Sequence, residues 1–272
     1  MSIAAQDFAL FRDYLRERSA IVLEPGKEYL VETRLEPIAR REGLASVEAL
    51  LRRLRQNPPA QLQTEVVEAL TTNETSFFRD WKPFEALRLK IIPEAMARRV
   101  GDRRLDFWCA ACSSGQEPYS LAMLLAEHFP ALGTWEVTLH ACDLSQAMVA
   151  RTSSGRFSTI EVNRGLPAPL LAKYFRRDGE AWVIAETLRK RLRVTQLNLA
   201  QGWPQLPSMD IVLMRNVLIY FDLATKSAIL RRVRSLMRPG GALLLGSAET
   251  TLGLCDGFSR VETSGTTYFQ SA

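Results

Sequence analysis

Between residues 5 and 57 apolar positions recur at helical spacing. Phe8, Phe11, Leu15 and Ile21 come first, then Tyr29, Leu30, Leu35 and Ile38, then Val47, Leu50, Leu51 and Leu54. Glu24-Pro25-Gly26 and Glu42-Gly43 punctuate the runs. Ser46 stands where an N-cap would open the third helix, and Asn57-Pro58-Pro59 stops it. A fourth helix is expected over 61–70.

From about residue 104 the period changes. Short apolar runs over 105–108, 137–142, 192–198, 209–214, 242–245 and 266–269 read as strands. Between them lie helical patterns, clearest over 119–129 and 224–236, the latter closed by Arg238-Pro239-Gly240-Gly241. Strand–helix alternation predicts an α/β domain whose parallel sheet is covered on both faces. The run over 209–214 is the most apolar and is expected to be central. Residues 174–194 break the alternation, and Trp182-Val-Ile-Ala with Arg191-Leu-Arg-Val reads as a small inserted antiparallel ribbon. The expected domains are a helical one over 1–90 and an α/β one over 91–272.

Composition changes this picture little. The 272 residues are 47% hydrophobic and 24% charged, as in an ordinary globular protein. No apolar run reaches the roughly 20 residues that span a membrane, and no signal peptide is expected at the amino terminus. Four cysteines make no disulfide framework, so a reduced, cytoplasmic protein is expected. With one Cys-x-x-Cys pair and only His128 and His140, no metal site is expected. The net charge of +5 matters mainly through its location. Arg34, Arg40, Arg41, Arg52, Arg53 and Arg55 crowd the helical segment, as solvated faces or as an electropositive groove for an acidic surface. Nucleic acid is disfavoured, because no aromatics are interleaved for base stacking.

The candidate chemistry begins at Leu105-Asp-Phe-Trp-Cys-Ala-Ala-Cys-Ser-Ser-Gly-Gln-Glu-Pro-Tyr-Ser120, a buried strand, a small-residue loop and a helix start. Cys109-x-x-Cys112 raises a redox reading. A dithiol site needs an exposed, low-pKa cysteine at the helix start. Here the helix is expected to begin near Ser114, and Cys109 falls at the end of a buried strand. Ser113, Ser114 and Gly115 allow close backbone approach to a ligand. Neither G-x-G-x-x-G nor G-x-x-x-x-G-K-[ST] is present, which disfavours di- and triphosphates. A phosphate-free nucleoside fits better, with Asp143 as an acid for ribose hydroxyls. Two alternatives stay open: Ser114-Gly-Gln-Glu117 fits a capping box, and Asp143 fits a cap for the next helix.

Two more motifs are specific: Thr71-Thr-Asn-Glu-Thr-Ser-Phe-Phe-Arg79 and Met214-Arg-Asn-Val-Leu-Ile-Tyr-Phe-Asp222. With Ser113-Ser-Gly-Gln-Glu-Pro-Tyr-Ser120, in this order, they make nearly the whole chain resemble the CheR family of chemotaxis receptor methyltransferases. The resemblance implies a class I, Rossmann-like S-adenosylmethionine-dependent methyltransferase sheet with an all-α N-terminal domain and a small inserted β-ribbon. It implies methyl transfer from S-adenosyl-L-methionine to glutamate side chains of a chemoreceptor's cytoplasmic helices, leaving S-adenosyl-L-homocysteine and using no metal.

Position by position, Asn73, Thr75 and Arg79 resemble residues that close over the cofactor. Ser113 and Gly115 form its loop, Glu117 matches the methionine-ammonium ligand and Asp143 the ribose ligand. Asn198 and Leu199 match adenine-side contacts, Arg215 and Asn216 strand-end contacts, and Tyr220 an active-site tyrosine. Arg79, Arg215 and Tyr220 are the implied catalytic groups, although Tyr220 as core and Arg79 as an internal ion-pair partner remain alternatives. The segment Thr33–Gly43 aligns with the family's receptor-facing basic helix, making Arg34 and Arg40 the substrate-binding candidates. Pro37 and Ile38 stand where relatives often carry arginine. The short turn Arg176-Arg-Asp-Gly-Glu-Ala181 implies independence from a receptor tethering peptide. A cytoplasmic monomer is expected, peripheral to the membrane only through its receptor. The rival readings are a cofactor-binding adaptor without turnover and a small-molecule methyltransferase.

Overall fold

A computed structural model describes residues 3–272, and the chain divides into two compact units. The first spans residues up to Thr72 together with Tyr220–Thr225. Its helices are α1 (Ala5–Ser19), α2 (Glu28–Arg41), α3 (Val47–Leu54) and α4 (Ala60–Ala69). Helices α1 and α2 both pack on α3 and α4, burying Phe8, Phe11, Leu15, Val31, Leu35, Leu50 and Val66. The Ser46 hydroxyl accepts from the Ala49 N–H and caps α3 as expected. Ile38 is buried, so it belongs to this core rather than to a basic surface.

The second unit begins at Asn73, not near residue 90. Its opening is α5 (Lys82–Ala86), a π-helical turn (Leu87–Ile91) and α6 (Ile92–Arg98). Phe77, Phe78, Phe84, Leu87 and Ile91 join the core under the sheet, which is why 73–98 belongs there.

The order continues with β1 (Arg104–Ala110), α7 (Gln116–His128), β2 (Glu136–Asp143), α8 (Gln146–Ser154), β3 (Arg156–Phe157), α9 (Thr159–Val162) and α10 (Ala168–Tyr174). Then come β4 (Phe175–Asp178), β5 (Ala181–Ile184), α11 (Glu186–Arg189), β6 (Leu192–Gln196), β7 (Met209–Met214), α12 (Leu223–Leu236), β8 (Met237–Leu245), β9 (Phe258–Thr263) and β10 (Thr266–Ser271).

Seven strands form one sheet in the order β6-β2-β1-β7-β8-β10-β9. β6 through β8 run parallel, and β10 and β9 turn antiparallel at the edge. β1 and β7 are buried along nearly their whole length, as central parallel strands must be. The chain moves outward from β1 in both directions. The β1–β7 boundary is therefore the switch point, where loops leaving adjacent strands diverge and open a crevice.

Two differences from the sequence reading have simple causes. The inserted ribbon is the hairpin β4–β5, flanked by β3, whereas 191–194 runs into β6 and pairs with β2. Alternation alone does not separate a ribbon strand from a sheet edge. β9 escapes the pattern because it is an edge strand with no buried side chain.

The segment ahead of α5 is held by backbone. The Phe77 N–H donates to the Arg164 carbonyl at 3.1 Å. Gly165, at φ +82°, passes so close that a Cβ would stand 2.1 Å from the Phe77 carbonyl oxygen. Gly165→Ala is expected to cost about 2 kcal/mol or more, through left-handed strain and this clash. A thermal melt matching wild type would show that the 73–79 segment is not anchored here.

Candidate functional site

The site is built on the carboxyl ends of β1, β2 and β7. Beyond Ala110 the chain alternates into the left-handed region at Ala111 (φ 59°), Ser113 (φ 50°) and Gly115 (φ 97°). Only Gly115 adopts this without side-chain strain. Its Cα faces Thr152, where an added Cβ would lie 3.0 Å from two side-chain atoms.

The turn is pinned at four points. Cys112 N–H donates to the Cys142 carbonyl, and Ser113 N–H to Asp143 Oδ2 at 2.8 Å. Thr152 Oγ1 donates to the Ser113 carbonyl at 2.9 Å, and Ser113 Oγ to the Asn73 carbonyl at 2.7 Å.

Asp143 is therefore not the cap of α8. Ser145 takes that place, accepting from Met148 N–H, while Asp143 Oδ1 accepts from Ser145 N–H. The buried Asp143 carboxylate ties the β1 loop to the end of β2. The Leu197 N–H donates to the Asp143 carbonyl at 2.9 Å, which brings Asn198 and Leu199 alongside. Asn198 Oδ1 accepts from Ala200 N–H, and Trp203 donates to the Leu199 carbonyl.

The capping box does not form. Gly115 is the N-cap of α7, and the Ser114 hydroxyl donates to Gln116 Oε1. The Glu117 carboxylate turns to Arg215 Nη1, at 2.9 Å. Burial raises the Glu117 pKa above the usual carboxylate range, and Arg215 opposes that rise.

Arg215, with 2% of its side chain exposed, also donates through Nη2 to Asp80 Oδ2 at 2.6 Å and to the Arg79 carbonyl at 2.9 Å. Phe78, Asp80 and Trp81 around it all have positive φ, a costly backbone for residues with a Cβ. Beyond Arg215 opens a cleft of about 900 Å³, walled also by Asp80, Lys82, Gly246, Glu249 and Thr267. Glu117 and Asp143 are not among its walls, whereas Arg215 is.

Two models of known families match the two units. "CheR methyltransferase, all-alpha domain" covers residues 6–71, and "CheR methyltransferase, SAM binding domain" covers 73–267. This chain belongs to the CheR methyltransferase family. Among relatives, the chemotaxis protein methyltransferase Cher2 of Pseudomonas putida is 38% identical, with both chains covered in full. Chemotaxis protein methyltransferase 1 of Pseudomonas aeruginosa is 40% identical over 97% of each chain. The chemotaxis protein methyltransferase of Vibrio parahaemolyticus is 36% identical over 96% of this chain and 95% of its own. The chain is thus an S-adenosylmethionine-dependent methyltransferase of the chemotaxis type.

Against that family, the structure gathers Asn73, Ser113, Gly115, Asp143, Asn198 and Leu199 around one loop, and Arg79, Glu117, Arg215 and Asn216 around another. Thr75 is half-buried in the same opening segment. Among the described residues, Arg79 Nη1 donates to the Glu74 carbonyl alone, at 3.1 Å. Tyr220 groups with the helical unit, its carbonyl accepting from Val22 N–H. Arg34 donates to the Thr71 carbonyl at 2.8 Å and to Thr72 Oγ1 at 3.2 Å, so it ties down the chain after α4. Arg40 is 79% exposed, paired one turn away with Glu36.

Sequence reasoning missed Asp80, Thr152 and Glu249, polar residues in stretches without period or motif. No helix among the described residues is long and apolar enough to cross a membrane. No metal-holding cluster of His, Cys, Asp or Glu stands among them either.

The cysteines of the loop are inert by position. Cys109, Cys112 and Cys142 are buried, and burial pushes all three thiols up, Cys142 to about 12. Alkylation of the native protein near pH 8 is expected to reach Cys255 first and the other three only on unfolding. Native labelling of Cys112 would contradict this burial.

Proposed function

We propose that this enzyme methylates glutamate side chains on the cytoplasmic helices of a chemoreceptor. What supports the reading is the pair of buried carboxylates, Glu117 and Asp143, at a phosphate-free loop on the switch point of a family-defined methyltransferase sheet. The donor set fits S-adenosylmethionine. Its ammonium needs a buried anion, and Glu117 is one. Its ribose diol needs acceptors, and the Asp143 carboxylate, at the end of β2, is an acceptor group of the right kind. Asn216 Oδ1 is buried without a partner among the described residues, an acceptor suited to a ligand N–H or O–H.

When bound, the cofactor supplies an electrophilic methyl group that carries its own leaving group. The protein's tasks are then binding and aim. A glutamate carboxylate is already ionised at neutral pH, so no general base is needed. Catalysis is chiefly alignment of the acceptor oxygen at near-attack distance.

Both terminal nitrogens of Arg215 are engaged, which makes it a positioning residue for Glu117. Arg79, held through one nitrogen only, is the better group to steer the incoming carboxylate. Tyr220 is assigned as an active-site hydrogen-bond donor on its motif. Arg40 is the exposed candidate for contact with an acidic receptor helix, whereas Arg34 serves its own unit. The two-residue turn Gly179-Glu180 leaves the ribbon hairpin compact, in keeping with a receptor that needs no tether. The enzyme is taken as a cytoplasmic monomer that meets the membrane only through its receptor.

Incubation with methyl-labelled S-adenosylmethionine and receptor-rich membranes tests the reaction. Base-labile label on a receptor is the expected result. Cofactor binding without transfer to any receptor tested would overturn it in favour of an adaptor. The site makes a second prediction. Glu117 must be ionised to hold an ammonium, and its pKa is raised. Cofactor affinity should therefore weaken on acidification from about pH 8 while the pH is still above the ordinary carboxylate range near 4.3. In Glu117→Gln that decline should vanish from an already weaker baseline. An identical pH profile in both proteins would remove Glu117 from the role.

A further inference from the structure

We infer that Glu249, in the loop after β8, is a positioning residue that sets the exit of β7 for cofactor binding. The inference rests on the site reading above. Three backbone amides converge on its carboxylate. Oε2 accepts from Gly246 N–H at 2.6 Å and Asn216 N–H at 2.8 Å, and Oε1 accepts from Ile219 N–H at 3.3 Å. Its own N–H donates to the Gly246 carbonyl at 2.9 Å. Two of these amides belong to the β7 exit and one to the β8 exit, so one side chain clamps two neighbouring loops.

The clamp holds a conformation the chain would not choose alone. Asn216 sits at φ 58°, the left-handed region, next to Arg215. Charge-assisted bonds from amide to carboxylate are among the stronger hydrogen bonds available to fix such a residue. Because Asn216 is fixed, Arg215 leaves β7 in the direction that reaches Glu117, Asp80 and the Arg79 carbonyl. Glu249 hydrogen-bonds neither the proposed ammonium ligand nor the Arg215 guanidinium, although its charge adds to the rise of the Glu117 pKa.

Gly246 shows how little slack the clamp has. A Cβ there would lie 2.8 Å from Asn216 Nδ2, 2.8 Å from Glu249 Oε2 and 2.9 Å from the Asn216 nitrogen. Its φ is not positive, so alanine would disturb the clamp through contact rather than through backbone strain. Gly246 and Glu249 therefore offer two independent ways to loosen one junction. A loop displaced by about 1 Å is enough to misplace binding groups.

The test is calorimetric titration of S-adenosylhomocysteine into wild type, Glu249→Gln, Glu249→Ala and Gly246→Ala. All are measured well below each protein's melting temperature, with melts recorded alongside. Wild type should bind. Kd should rise at least tenfold in Glu249→Ala and in Gly246→Ala, and less in Glu249→Gln, which keeps one acceptor oxygen. The KM for cofactor should rise in step. Lowered melting temperatures with Kd within twofold of wild type in both Glu249→Ala and Gly246→Ala would overturn the inference, leaving Glu249 a structural clamp only. A wild-type protein that fails to bind the ligand would instead overturn the site reading on which the inference stands.

Discussion

The buried guanidinium of Arg215 is the interaction around which this site is organised. A cation with 2% of its side chain exposed is costly unless anions and carbonyls surround it. It finds Glu117 on α7, Asp80 ahead of α5 and the Arg79 carbonyl, and so joins three segments far apart in the chain. The reciprocal need is as strong. Glu117 is buried enough that its carboxyl is raised in pKa, and Arg215 is the main group favouring its charged form. Each is hard to bury without the other.

That constraint explains the surrounding strain. Phe78, Asp80, Trp81, Ala111, Ser113 and Asn216 all have positive φ without being glycine. Each such residue costs on the order of 1–3 kcal/mol. They persist because hydrogen bonds overdetermine them: Phe78 N–H to Ser120 Oγ, Ser113 N–H to Asp143, Asn216 N–H to Glu249. The strain clusters where the β1 loop, the β7 exit and the segment ahead of α5 are pinned. Outside it, Ala20, Asn57, Arg103 and Ser264 also have positive φ, each standing singly at a turn or element end. An arrangement held this way is preorganised, as a site that works by alignment needs to be.

Much of this was legible in the sequence because it is periodic or local. The strand runs of β1 and β7, the cap at Ser46 and the small-residue loop at 113–115 each follow from neighbours along the chain. Glu117 and Asp143 were singled out, but their alternatives as caps could be settled only by seeing Arg215 and Ser113 reach them. Asp80 and Glu249 left no local signal, since their meaning lies in Arg215 and in the β7 exit at Asn216 and Ile219, far along the chain. The same limit moved the domain boundary: the aromatics at 77, 78 and 84 look like any helical core until the sheet they cover is known. β9 was missed for the opposite reason, because this edge strand has no buried face to mark it, and 191–194 was assigned to the ribbon because alternation does not separate a ribbon strand from a sheet edge.

The central claim is that Glu117, held by Arg215, binds the cofactor's ammonium. A ligand-and-residue cycle tests it most directly. The affinities of S-adenosylhomocysteine and of its analogue lacking the α-amino group are measured on wild type and on Glu117→Gln. Loss of the amino group should cost wild type about 1.5–3 kcal/mol, the range of a charged hydrogen bond, and cost Glu117→Gln little. Equal losses in the two proteins would mean that the ammonium and Glu117 do not meet, and would contradict the account.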